Sequence, residues 1–184
     1  MPVPTRRVRD VGSRDTAALL LRFTLGPMLF AHGWNKVRGP GGLKGTTGWF
    51  EALGLKPAAL HAKVAAGTEM VAGAALTVGA GGPLPAAATV GLMAATARTD
   101  HRGKGFFVFK GGWEYTSVVV GAAVALAVLG HGRYSLDALE GRQSYGTKAA
   151  LLTAALGAAG SAALLTLCYR PDQEESGTEP ADEE

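Results

Sequence analysis

The stretch TAALLLRFTLGPMLFAHGWNK, residues 16–36, decides the reading of this chain. It is about as long as the roughly 20 residues that span a bilayer as a helix, yet it carries Arg22 within it and His32 and Lys36 near its end. An ionised side chain costs at least a few kcal/mol at a bilayer centre, so such groups persist where they are paired, face a protein interior or line a wet cavity. Working outward, four more apolar runs follow at about residues 58–79, 83–98, 112–130 and 148–169. Glu69 lies in the second run and Glu114 opens the fourth. Five such runs in 184 residues point to an all-α membrane protein, because helices satisfy their own backbone hydrogen bonds in hydrocarbon.

Composition agrees. The chain is 47% hydrophobic with a formal net charge of +3. Residues 171–184 hold seven acids and no base, so the remainder carries 18 bases against 8 acids. The bases sit between apolar runs and form no stripe with interleaved aromatics, so no nucleic-acid partner is expected. They read as the basic flanks of membrane helices. The acidic tail reads as solvated and disordered. Arg6, Arg7, Arg9 and Arg14 form a basic leader, residues 1–15. The apolar run behind it is long for a signal peptide and no small-x-small cleavage site follows, so it is read as a retained first helix. The leader places the N-terminus in the cytoplasm and the chain in the cell membrane. Cys168 is the one cysteine, which excludes an internal disulfide and any C-x-x-C redox pair. It reads as a small apolar filler, with acylation as the alternative.

The expected organisation is a four-helix transmembrane bundle over residues 16–140, a linker and further hydrophobic helix over 141–170, and the tail over 171–184. Gly26 and Gly33 on the first helix, Ala66, Gly67 and Gly73 on the second, Gly121, Ala122 and Ala125 on the fourth, and Gly157 and Gly160 on the fifth would let backbones approach closely. Trp49, Phe50 and Leu53 are spaced for a short interfacial helix in the first loop. In the third loop His101, Arg102 and Lys104 precede Phe106-Phe107-Val108-Phe109, an aromatic patch at headgroup level.

Two charged layers follow from depth. With the first two helices antiparallel and a rise of about 1.5 Å per residue, Arg22 and Glu69 fall within side-chain reach. An Arg22–Glu69 ion pair is expected to hold the bundle in register. At the opposite end His32, Lys36 and Glu114 gather at the bundle mouth. His32 and Glu114 are the candidate acid–base pair there, and the three together are a candidate site for a quinone headgroup or other ligand. A plainer reading has Lys36 snorkelling to the headgroups and His32 as an interfacial residue. No metal-ligand spacing is present, so no metal is assigned.

The same residues carry a resemblance. Arg22-Phe23-Thr24-Leu25-Gly26 followed by His32-Gly33-Trp34-Asn35-Lys36, then Glu69-Met70-Val71-Ala72-Gly73, Glu114, and Gly130-His131-Gly132-Arg133-Tyr134-Ser135-Leu136-Asp137 resemble, in order, the signature of the DoxX family. The resemblance implies a four-helix membrane bundle, with the fifth helix and acidic tail outside the family core. It implies a setting in quinone-coupled oxidation or oxidative-stress membrane complexes, with a redox enzyme as partner and a membrane quinone as cofactor. Related bundles that act in dithiol chemistry use cysteines that this chain lacks. In the last element Gly130 and Gly132 can end a helix and Ser135 can cap the next turn. Arg133 can pair with Asp137 or contact lipid phosphates. The element reads first as loop-closing.

Three functions stay open: a small subunit or anchor of a membrane redox complex, a proton-coupled or small-solute transporter, which at this length needs a homo-oligomer, and a non-catalytic scaffold. No nucleotide loop or nucleophile motif is present, so a self-contained catalyst is not expected.

Overall fold

The computed structural model describes the backbone of residues 6–142 and 146–171, with side chains from Gly12 onward. Within these residues the protein is all-helical. The helices are α1 (Arg6–Arg38), α2 (Gly42–Ala52), α3 (Ala58–Val78), α4 (Leu84–Thr99), α5 (Glu114–Leu129), the single turn α6 (Leu136–Leu139) and α7 (Thr147–Cys168). The expected tail beyond Pro171 lies outside the described residues.

Helices α1, α3, α4 and α5 close a ring in which each packs on the next. Leu25, Leu29, Leu76, Val90, Met93, Val119 and Leu126 fill its centre. The α1–α3 seam is built from small residues, because a Cβ on Gly26 would come within 2.7 Å of the Gly73 carbonyl and one on Gly33 within 2.6 Å of the Ala66 carbonyl. These contacts set the register: Gly26 faces Gly73 and Thr77, and Gly33 faces Ala66 and Met70. The small residues at Gly67, Gly121 and Gly160 are different. A Cβ there would meet open space, so they do not tighten the bundle.

The first helix begins at Arg6, ten residues before the apolar run, so the basic leader is continuous with it. Its extra turns are held from outside: Arg14 donates through Nε to the Leu129 carbonyl at the end of α5 (2.7 Å), and Asp15 is buried against Arg133. The amphipathic segment in the first loop is helix α2, which buries Thr46 and Phe50 against α1 and α3 while Trp49 stays exposed.

The seventh helix lies outside the ring against α4 and α5. Gly157 lets it approach α4, since a Cβ there would touch Val90 and the Ala87 carbonyl. Its C-terminal end is stitched to the α2–α3 turn: the Lys56 amide donates to the Cys168 carbonyl (2.8 Å) and the Arg170 amide to that of Gly54 (2.7 Å).

Large apolar side chains cover the outside. Leu20, Phe23 and Phe30 on α1, Val64 and Val71 on α3, Val118 on α5 and Leu151 and Leu167 on α7 are all exposed. Yet among the described helices of at least 18 residues, α7 alone is long and apolar enough to cross a membrane by length and composition. The other long helices, α1 and α3, carry charged groups, of which the fold buries Arg22 and Glu69 and largely covers Lys36.

Candidate functional site

A cavity of about 300 Å³ opens at the end of the ring where α1 finishes and α3 begins. Its wall is mostly apolar: Leu29 from α1, Trp49 and Phe50 from α2, Leu53 and Leu55 from the following turn, Val64 and Ala65 from α3, Leu92 and Met93 from α4, and Leu164 from α7. Polar groups interrupt this wall at a few points, as in small-molecule sites generally. Central among them is an ion pair. Lys36 Nζ donates to both carboxylate oxygens of Glu69, at 2.8 and 2.7 Å. Glu69 is 6% exposed, and the Lys36 side chain is largely covered.

The expected Arg22–Glu69 pair is therefore not formed. Its failure is one of register. The glycine contacts place Glu69 opposite the stretch just before Lys36, and place Arg22 beyond the Thr77 turn of α3. There the guanidinium donates to four backbone carbonyls: Leu76 (3.1 Å), Thr77 (2.9 Å), His131 (2.8 Å) and Tyr134 (2.7 Å). Two of these carbonyls belong to the last α3 turn, where the helix dipole also favours a cation.

The expected His32, Lys36 and Glu114 group is brought together only in part. His32 and Lys36 line the cavity, but Glu114 does not. Its carboxylate accepts from the Val108 amide (3.0 Å) and closes the aromatic loop before α5. The next residue, rotated by about 100° on the helix, takes its place: Tyr115 faces the cavity with its ring centroid 6.1 Å from that of His32. Its hydroxyl donates to Met28 Sδ (3.2 Å). Among the described residues His32 makes that ring contact and no hydrogen bond, so both its nitrogens are open to a ligand. His101, whose Nδ1 meets the Gly111 carbonyl, and His61, which meets that of Lys56 (3.3 Å), complete the polar rim with Thr96, Thr99 and Asp100. Tyr115 and the α2 wall were not foreseen. The amphipathic spacing of α2 was the available signal, and it points only to a short interfacial helix. Among the described residues no three histidine, cysteine or acidic side chains converge as a metal site.

At the other end of the ring the stretch from Gly130 to Asp137 forms a clasp. Gly130 (φ 73°) ends α5, and Gly132 (φ 75°) turns the chain in a conformation that favours glycine. The Ser135 hydroxyl caps α6, accepting from the Ala138 amide at 3.2 Å. Arg133 pairs with Asp15 (2.7 Å) and not with Asp137. Asp137 instead accepts from the Gly81 and Gly82 amides (3.0 and 2.7 Å) and meets His131 Nδ1 at 2.9 Å. Burial lowers the His131 pKa, with Asp137 opposing it. Burial also works against the Asp137 carboxylate, but the hydrogen bonds from Gly82, His131 and Gly81 outweigh it and hold its pKa below 3.8. The clasp fastens the α3–α4 turn to the end of α5, a structural role.

The DoxX family model matches residues 17–102, from the apolar part of α1 through α4. Over these residues, a little under half of the chain, the protein is similar to the DoxX family. No curated protein and no solved structure matches the chain. DoxX is a membrane-associated family, so contact with a lipid bilayer follows and the exposed apolar faces have a solvent that suits them. The DoxX match contains both Lys36 and Glu69 and most of the cavity wall, whereas Glu114, Tyr115, the clasp and α7 lie beyond its end.

Proposed function

We propose that this chain is a multi-pass protein of the cell membrane that serves as a small subunit or anchor of a quinone-linked redox complex. In this reading α1, α3, α4 and α5 span the bilayer, α7 adds a fifth span beside α4, and the N-terminus is cytoplasmic. One observation carries it. A buried ion pair, Lys36–Glu69, faces an apolar cavity inside a ring whose outer surface is apolar. Ionisable groups kept at such depth mark ligand or ion pathways by default, and the cavity suits an apolar cofactor such as a membrane quinone. The transporter reading has less support. A relay between Arg22 and Glu69 needs them in contact, and Arg22 is committed to backbone carbonyls at the far end.

Affinity capture of the full chain from mild detergent, followed by mass spectrometry, tests the reading. A redox enzyme recovered in stoichiometric amount and lost at high detergent is the expected result. Recovery of the chain alone, from membranes that contain active quinone-linked dehydrogenases, would leave a scaffold and overturn the subunit role.

A further inference from the structure

The charge balance of the cavity selects its ligand. Lys36 and Glu69 neutralise one another, with both carboxylate oxygens held on the same ammonium. Asp100, at the rim, is 3.5 Å from Lys104, so its charge is also answered. An anionic head entering here meets Glu69 and Asp100, and a cationic head meets Lys36. Either would have to break a buried pair to gain a partner, which leaves the displaced charge uncompensated in a low-dielectric site. An uncharged head needs no such exchange. An ammonium group has three hydrogens, of which Glu69 occupies two, so one remains for an acceptor. The ring nitrogens of His32 make no hydrogen bond among the described residues, so they are open to a head group. The rest of the wall is hydrocarbon and aromatic, and Val64 and Trp49 reach the outer surface, so the cavity has an apolar side entrance. Its 300 Å³ matches the lower end of small-molecule pockets.

We propose that this cavity binds an uncharged single-chain amphiphile, with a carbonyl or hydroxyl head against Lys36 and His32 and an alkyl body along the apolar wall. The inference rests on the membrane reading, since the side entrance must open to lipid. It goes beyond that reading by fixing the charge class of the ligand and the residues that read it.

A matched ten-carbon series tests it: decanol, decanoate and decylamine, with decylubiquinone as the carbonyl-headed arm. The full chain is reconstituted in lipid vesicles free of any other protein, with Trp34→Phe and Trp113→Phe, so that Trp49, on the cavity wall, is the only tryptophan and its emission reports binding. The expected order has decanol and decylubiquinone binding saturably and about tenfold or more tighter than either charged probe, because a like charge facing a buried one costs several kcal/mol. Decanol against decylubiquinone then separates a general lipid alcohol from a quinone-type head. Glu69→Gln frees the Lys36 charge and should make decanoate the best ligand. Lys36→Met frees Glu69 and should make decylamine the best. A variant that gains a ligand has folded, so loss of structure cannot mimic the result. Equal binding of decanol and decanoate by the parent, an unchanged order in both variants, or no saturable response would each overturn the proposal. Release of the protein by alkaline carbonate would instead overturn the membrane reading, and it is measured separately.

Discussion

Glu69 and Arg22 are both buried charges on adjacent helices, and they solve the same problem differently. Glu69 takes a single counter-ion, while Arg22 takes four carbonyls. Removing one partner of a buried pair leaves a charge without compensation and costs about 3–5 kcal/mol, whereas replacing both by apolar groups is far milder. Lys36→Met alone should therefore lower the unfolding temperature in detergent more than Lys36→Met combined with Glu69→Leu. Arg22→Gln and Glu69→Leu should add without coupling, because they share no contact. A coupling energy between Arg22 and Glu69 as large as that between Lys36 and Glu69 would contradict the structure. That these residues needed partners was legible from their apolar surroundings. Which partner each takes was not, because it depends on a helix register set by Gly26, Gly33 and Gly73, and an error of two turns moves Glu69 from one cation to another. The clasp adds a pH dependence. His131 has its pKa lowered from 6.5, so the unfolded chain takes up that proton first and stability falls as pH drops below about 6.5. Asp137, with its pKa held below 3.8, contributes stability that is lost only at more acid pH, through its folded value. A series of thermal melts should show the first loss in the parent and not in His131→Asn. A parent curve that is flat from pH 7 to 5 would contradict the buried, neutral His131.

At the scale of elements, the close approach of α1 and α3 is the contact on which the cavity depends. Gly73→Leu would drive a side chain into the Gly26 carbonyl and the Phe30 backbone. It should separate the two helices, break the Lys36–Glu69 alignment and destabilise the fold by an amount at the upper end of overpacking changes, about 3 kcal/mol. Gly160→Ala should be neutral or slightly stabilising, since its added methyl meets open space on a helix. Comparable destabilisation by both would show that the seam is not where the structure puts it. The five apolar runs and the interfacial helix could be read from composition and spacing, and their positions hold to within a few residues except at the start of α1. That start was hidden because Arg14 and Asp15 look like a solvated leader, while their partners, the Leu129 carbonyl and Arg133, lie more than a hundred residues away. The same distance hid Tyr115: a tyrosine beside a glutamate draws less notice, and only the phase of α5 in the ring decides which of the two faces inward.

For the whole molecule, charges are answered inside the ring and apolar side chains lie outside it, with a fifth long helix covering α4. Every step toward a lipid-facing cavity depends on the ring lying within the bilayer. Cysteine labelling reads this directly. In a Cys168→Ser background, Val71→Cys on α3 and Leu156→Cys on α7 place thiols at exposed mid-helix positions, and Lys104→Cys places one in the loop before α5. Membranes opened to both faces are treated with a membrane-impermeant maleimide. The account predicts labelling at position 104 and none at 71 or 156 until the membranes are dissolved in denaturing detergent. Labelling at 71 and 156 in intact bilayers, as fast as at 104, would contradict it.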